Sequence, residues 1–69
     1  MKINLVFLEE FKSSFKEKDY RIFQFLDPKS LTIISGTDLD LKGKKLEVFE
    51  SYDVEIGIKS GKLKVLRVL

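Results

Sequence analysis

Short hydrophobic runs separated by turn-forming groups extend over the whole chain. The runs are rich in Val, Ile, Leu, Phe and Tyr, and the groups between them contain Gly, Pro, Ser, Asp and Lys, at residues 27–30, 35–38, 41–44 and 59–62. Regular spacing of this kind is typical of a small antiparallel β-sandwich or barrel. We predict strands at about 2–8, 19–26, 30–35, 45–50, 52–58 and 62–68.

The C-terminal hairpin has the clearest pattern. Residues 52–58 alternate, with apolar side chains at the even positions and acids at 53 and 55, which predicts a strand with one buried and one wet face. In 62–68 the apolar positions change parity between Val65 and Leu66. A β-bulge at that point explains the change, and so does a strand end covered on both faces by another subunit. Gly61 is expected to supply the positive φ of a tight turn.

Residues 8–18 allow two interpretations. Leu8, Phe11 and Phe15 have the spacing of a short amphipathic helix. Two central serines weaken the helical interpretation, and a loop or irregular strand with exposed Phe and Lys side chains is the alternative. Both interpretations stay open.

Length and composition limit the function classes. A chain of 69 residues predicts one domain, 1–69, with a small core. It has no Cys, no His and no glycine-rich phosphate loop, so we expect neither catalysis nor a cofactor. Asp38 and Asp40 lack the further acids of a calcium loop, so we interpret them as turn residues and expect no metal site.

The N-terminal apolar stretch is too short for a targeting or membrane segment. Glu9 and Glu10 end the run 3–8 before it reaches the length of a secretory signal. No run approaches the roughly twenty apolar residues that a membrane-spanning helix needs. We therefore expect a cytoplasmic protein without a membrane partner.

Charge and aromatic residues suggest a ligand. The net charge is only +2, but residues 56–69 contain four basic and no acidic residues, while residues 38–55 contain six acids and three lysines. Aromatic and basic residues are interleaved, and single-stranded nucleic acid is bound by rings that stack on bases and cations that neutralise phosphates. The candidate binding residues are Lys12, Lys16, Lys18, Tyr20, Arg21, Phe23, Phe25, Lys44, Lys45, Phe49, Lys62, Lys64 and Arg67.

Some of these aromatic residues must form the core. We expect about five of the eight to be mainly buried, Tyr52 among them. In the run 20–25, either Tyr20 or the Phe23 and Phe25 pair faces outward. Arg21 shares a face with that pair, which predicts an exposed strip of one guanidinium and two rings, with Phe49 as a further exposed ring.

The C-terminal run Y-D-V-E-I-G-I-K-S-G-K-L-K-V-L-R-V-L, residues 52–69, resembles the closing hairpin of small OB-fold single-stranded-DNA-binding proteins of the filamentous-phage type. Residues 1–5, a Phe/Lys/Ser segment, and 19–26 turning at Pro28 into 31–35 are similar to the first half of that family in order and length. The resemblance implies a five-stranded Greek-key barrel, a homodimer, binding with little sequence preference and a phage or mobile-element accessory role. It assigns no individual site residue, since the family's DNA-binding hairpin does not align with 36–45.

These observations predict an all-β fold, a small OB-like antiparallel Greek-key barrel of five or six strands, with a short helix near 8–18 as an option. The predicted function is non-catalytic binding of single-stranded DNA, in preference to RNA. The alternative is an adaptor or inhibitor that binds a protein through an edge strand or aromatic patch. Basic residues around exposed rings would favour the first, and mixed charge the second. Apolar residues of both parities in 2–8 predict a homodimer.

Overall fold

The computed structural model describes residues 1–69 and contains five β-strands and no α-helix. The strands are β1 (Lys2–Phe15), β2 (Lys18–Asp27), β3 (Thr32–Thr37), β4 (Ser51–Lys59) and β5 (Lys62–Val68). They form one antiparallel sheet in the order β3-β2-β1-β4-β5. The predicted all-β, OB-like barrel architecture is confirmed. The structure offers no helix with the length and apolar character that crossing a membrane requires.

The sheet curls into a barrel because its two outermost strands, β3 and β5, lie against each other. No ladder of hydrogen bonds joins them, so side-chain packing closes the seam. Gly36 lies at the closest point: a Cβ atom there would be 2.9 Å from the side chain of Leu39 and 3.0 Å from the carbonyl oxygen of Val65. A residue without a side chain is therefore required for the close approach of β3 to β5.

The barrel interior is a core without any buried polar residue. Rings at its centre pack edge to face, with the centroids of Phe7 and Phe25 5.5 Å apart. The loop 38–50 adds Leu39 and Leu46 to this core. The complete set of buried hydrophobic residues is Leu5, Phe7, Phe23, Phe25, Ile34, Leu39, Leu46, Val54, Ile56, Val65 and Val68.

The predicted strand at 45–50 is wrong, because this segment forms part of the loop between β3 and β4. Leu46 turns inward to the core, and the backbone N–H of Glu47 donates to the Tyr52 hydroxyl at 2.7 Å. Phe49 then adopts a left-handed conformation with φ 70°, which ends any extended run. Its N–H donates to the carbonyl of Phe7 at 2.7 Å, so the chain rejoins the sheet only at β4.

Of the two interpretations of residues 8–18, the helix is wrong and the irregular strand with exposed Phe and Lys side chains is confirmed. Residues up to Phe15 continue β1, a two-residue turn follows, and β2 begins at Lys18. Phe7 pairs with Phe25 and Glu9 with Gln24, so Leu8 is an extra residue in a β-bulge. The bulge explains why the spacing of the apolar residues suggests a helix. One residue is inserted at position 8 and strand alternation follows it, so apolar residues fall at 8, 11 and 15, which is also the spacing of one face of a helix.

Both details predicted for the C-terminal hairpin are confirmed. Ile56 pairs with Val65 and Glu55 with Arg67, which leaves Leu66 as the bulged residue. The turn residues Ser60 and Gly61 have φ values of 51° and 76°, as a tight two-residue hairpin requires. The parity change at Leu66 is therefore accounted for within one chain.

Replacing Gly36 tests the packing of the seam. Gly36→Ala should lower the free energy of unfolding by about 1–3 kcal/mol, because the added methyl group meets the Val65 backbone and the buried Leu39. Gly57→Ala is the matched control, since its Cβ would meet only the half-buried Leu66 side chain, at 2.7 Å. Urea unfolding of both variants measures the difference. Equal destabilisation by the two substitutions would contradict the account of the seam.

Candidate nucleic-acid interface

A cleft of about 260 Å³ opens between the end of β3 and the β4–β5 hairpin. Its lining contains three lysines and no acid, and none of the three lysines forms a salt bridge. The lining residues are Thr37, Lys59, Ser60, Lys62, Lys64, Val65 and Leu66. The cleft therefore presents uncompensated positive charge together with two hydroxyl groups, a combination suited to phosphate.

The hairpin geometry brings the lysines together. Lys59 and Lys62 are cross-strand partners beside the turn, and Lys64 pairs with Gly57 two positions farther along. Like charges opposite each other on neighbouring strands repel. Because none of the three lysines has an acidic partner within salt-bridge distance, an anion bound in the cleft would reduce this repulsion.

The cleft continues onto the outer face of the sheet. Thr37 of β3 pairs with Ile22 of β2, and Ile22 pairs with Phe11 of β1, so the three side chains form one cross-strand row. Neighbouring strands lie roughly 4.8 Å apart, which places Phe11 about 10 Å from Thr37. The lysine cleft and the aromatic residues of the β1–β2 hairpin are therefore parts of one continuous surface.

Three aromatic rings and nearby lysines extend this surface along the β1–β2 hairpin. Phe15 is 64% exposed and Phe11 40% exposed, while Tyr20 is half-buried. The Nζ atom of Lys16 lies 5.4 Å from the centroid of the Phe15 ring, and that of Lys18 lies 5.2 Å from the Tyr20 ring. Rings next to cations are the elements that stack bases in single-stranded nucleic acid complexes. We call the whole area the seam-to-hairpin surface, comprising Phe11, Phe15, Tyr20, Ile22, Thr37, Lys59, Lys62 and Lys64.

Charge is distributed unevenly over this surface. The β1–β2 hairpin has acids as well as lysines, with Glu9, Glu10, Glu17 and Asp19 among its exposed residues. The rings are thus surrounded by mixed charge, whereas the cleft is free of acids. The surface thus consists of an acid-free basic part at the cleft and an aromatic part with mixed charge at the hairpin.

The predicted outward orientation of Phe23 and Phe25 is wrong. Both rings are completely buried, on the face that the barrel closes over, and neither is accessible to a base. Strand alternation identifies the two faces of β2, but the pairing of Phe25 with Phe7 decides which one is inside. The alternative holds: Tyr20 lies on the outer face.

Arg21 shares the inner face with Phe23 but lies at the open end of the barrel. Its guanidinium carbon is 5.1 Å from the centroid of the Phe23 ring, and its Nε donates to Oε2 of Glu10 at 2.6 Å. This hydrogen bond raises the pKa of Arg21 above its usual value. Arg21 is therefore charged but already paired, and it covers a core residue instead of forming an exposed strip.

Five further predicted residues lie outside the seam-to-hairpin surface. Arg67 is paired with Glu55 at 2.7 Å, and the Nζ atom of Lys44 donates to the carbonyl oxygen of Leu69 at 3.1 Å. Lys45 is exposed in the loop 38–50. Phe49 is 77% exposed, as predicted, but it lies beside Phe7, eight strand positions before the hairpin end of β1. Lys12 lies on the inner face of the hairpin, opposite Arg21.

Several residues of the surface are absent from the sequence-based prediction. Lys59 has a usable signal, since it belongs to the same acid-free segment as Lys62 and Lys64. Phe11 and Phe15 alternate with lysines, but their helical spacing obscures that pattern. Thr37 has no local signal, because only the closure of the barrel brings β3 to β5.

Asp38 and Asp40 each accept a backbone hydrogen bond, at two different places in the fold. Oδ1 of Asp38 accepts the backbone N–H of Arg21 at 2.8 Å, and Oδ1 of Asp40 accepts that of Lys42 at 2.9 Å. Asp40 therefore has the turn role that the sequence predicts, whereas the Asp38 side chain bonds across to β2. No group of three or more acidic side chains converges on a point where a metal ion could bind.

No protein-family model, curated protein or solved structure matches this chain. The function is therefore argued from the fold and from the geometry of the seam-to-hairpin surface.

Proposed function

We propose that the protein binds single-stranded DNA non-catalytically and with little sequence preference. The observation that carries the proposal is the acid-free lysine cleft at the β3–β5 seam, which is continuous with the exposed rings of the β1–β2 hairpin. OB-folds in general bind oligonucleotides on the face formed by strands 2 and 3, between the loop that follows strand 1 and the loop that follows strand 4. The seam-to-hairpin surface runs from the β4–β5 turn across β3 and β2 to the β1–β2 turn, and this course supports the proposal.

In this proposal the cleft binds phosphates and the hairpin stacks bases, because the two parts of the surface carry different side chains. Phosphates enter the cleft, where Lys59, Lys62 and Lys64 neutralise them and the hydroxyl groups of Thr37 and Ser60 donate hydrogen bonds. In the bound strand, the bases extend from the cleft across Ile22 and stack on the rings of the hairpin. Ring faces accept any base, so little sequence discrimination is expected. The preference for DNA over RNA rests on the family resemblance and is tested with matched oligothymidine and oligouridine.

A second candidate function, binding of a protein partner, is favoured by the mixed charge around the hairpin rings and by the far end of the same outer face. Val6, Leu26 and Ile33 form a second cross-strand row there, and Ile33 is 54% exposed. Leu31 in the adjacent turn is 76% exposed. Exposed apolar rows of this kind occur in protein interfaces. A chain that binds no oligonucleotide at low salt would leave this second function as the better account.

Neutralising the cleft should reduce the salt dependence of DNA binding. For Lys62→Gln combined with Lys64→Gln, the slope of log affinity against log salt should become smaller by about 1.4, since each phosphate contact on a single strand contributes about 0.7. Fluorescence anisotropy of labelled oligothymidine at several salt concentrations measures this slope. The control, Lys29→Gln combined with Lys42→Gln, removes the same charge outside the cleft and should leave the slope unchanged. Equal changes in both variants would show that only the total charge matters.

Removing one exposed ring should weaken binding without affecting the fold. Phe15→Ala is expected to reduce affinity for oligothymidine by about 5- to 150-fold, corresponding to the loss of one stacked base, whereas Phe15→Tyr should retain most of the affinity. Phe49→Ala is the matched control, because it removes an even more exposed ring outside the surface. Anisotropy at fixed low salt gives the affinities. A larger loss for Phe49→Ala than for Phe15→Ala would move the stacking site to the loop 38–50.

A further inference from the structure

The longest edge segment of the sheet that neither pairs nor packs against another strand lies on β1. The edges of β3 and β5 pack against each other. Asp38 covers the edge of β2 at Arg21: the Asp38 N–H donates to the Arg21 carbonyl, and Oδ1 of Asp38 accepts the Arg21 N–H, both at 2.8 Å. On β1, the ladder to β4 ends at Val6, and Phe7 makes the last bonds on that side, to residues 49 and 50. The edge from residue 8 to residue 15 has no partner on that side. An unpaired edge of this length is a template for another strand.

The hairpin geometry identifies which backbone groups point to this edge. Phe15 and Lys18 flank a two-residue turn and form the hydrogen-bonded pair that closes such a hairpin. Bonded and non-bonded pairs alternate along antiparallel strands. Glu10, Lys12 and Ser14 therefore direct their N–H and C=O groups away from β2, toward the free edge.

We propose that two copies of the chain pair through this edge, with β1 antiparallel to β1 of the second copy and the two-fold axis at Phe11. In that register Glu10 faces Lys12 of the second copy, and the same pair occurs twice by symmetry. Glu10 and Lys12 both direct their backbone N–H and C=O groups toward the free edge, so they can form a hydrogen-bonded pair in this register. Their opposite charges favour the same register.

The side chains at this edge are available for the pairing. Lys12 forms no salt bridge within its own chain. Glu10 accepts the Arg21 hydrogen bond through Oε2, which leaves Oε1 for a second cation. Phe11, on the opposite face and 40% exposed, would contact its symmetry mate directly at the axis.

Other registers that satisfy the hydrogen-bond alternation are less favourable. An axis at Glu10 or at Lys12 places identical charges opposite each other, which is destabilising. An axis at Ser13 extends the pairing into the turn at Lys16, where the strand ends. The register at Phe11 therefore combines the longest paired segment with charge complementarity.

The pairing would make one continuous sheet from two barrels and bring the two seam-to-hairpin surfaces side by side at Phe11. This interface differs from the one that the apolar residues of 2–8 predict, because it uses the backbone edge of β1 after the bulge and leaves the outer face of 2–8 uncovered. The proposal concerns the protein alone and does not rest on DNA binding, so its test is made without nucleic acid.

Complementary charge reversals test the register. Glu10→Lys and Lys12→Glu should each weaken self-association by about tenfold or more, because two attractive pairs become repulsive. An equimolar mixture of the two variants should form a heterodimer, since positions 10 and 12 then carry opposite charges across the interface. Sedimentation velocity measures all three samples. A mixture that stays as dissociated as its components would overturn the proposed register.

A single cysteine gives an independent readout. The protein has no cysteine, and a non-hydrogen-bonded antiparallel pair places its Cα atoms about 4.5 Å apart, within disulfide range. Phe11→Cys should therefore form a disulfide-linked dimer under mild oxidation, whereas Ser13→Cys, which would face Glu9, should not. The unmodified chain should sediment as a dimer. Sedimentation as a monomer at the highest attainable concentration, or preferential cross-linking of Ser13→Cys, would overturn the proposal.

Discussion

The close contact between β3 and β5 at Gly36 is the constraint on which the rest of the structure depends. No hydrogen-bond ladder joins these strands, so the barrel closes only because Gly36 lets the Val65 backbone and the Leu39 side chain approach. Closure buries the rings of β2 and holds the loop 38–50 against the core. It also creates the lysine cleft, since the outer rim of the same seam joins Thr37 to the β4–β5 hairpin.

The long strand β1 links the core to the proposed binding surface. Before the bulge at Leu8 it directs Leu5 and Phe7 into the barrel, and after it Phe11 and Phe15 emerge on the outer face. The outer face of the other half of the sheet differs, since it is covered by exposed ion pairs such as Lys2 with Asp53, at 3.7 Å. One part of the outer surface thus carries charged side chains that pair with each other, and the other part carries aromatic rings and lysines without ion-pair partners.

Local patterns predicted the elements whose geometry is local. The alternation of 52–58, the turn at Gly61 and the bulge near Leu66 could all be inferred from neighbouring residues. The errors occurred where distant residues decide. The spacing of 8, 11 and 15 arises from a bulge against β2, and the inward direction of Phe23 is fixed by barrel closure.

The candidate site was predictable only in part for the same reason. The basic character of 59–64 is visible in the sequence, but the contribution of Thr37 and the alignment of the cleft with Phe11 depend on the strand order. Arg21 and Arg67 look like free cations in the sequence and are paired with Glu10 and Glu55 in the fold.

The seam-to-hairpin surface is tested most directly by chemical-shift mapping, in which oligothymidine is added to the ¹⁵N-labelled protein and amide shifts are followed at low salt. The largest changes should fall on Thr37, Ile22, Tyr20 and the β4–β5 hairpin at residues 59–64, in one connected patch. Changes centred on Asp53 and Glu55, or none at all, would contradict the proposed interface.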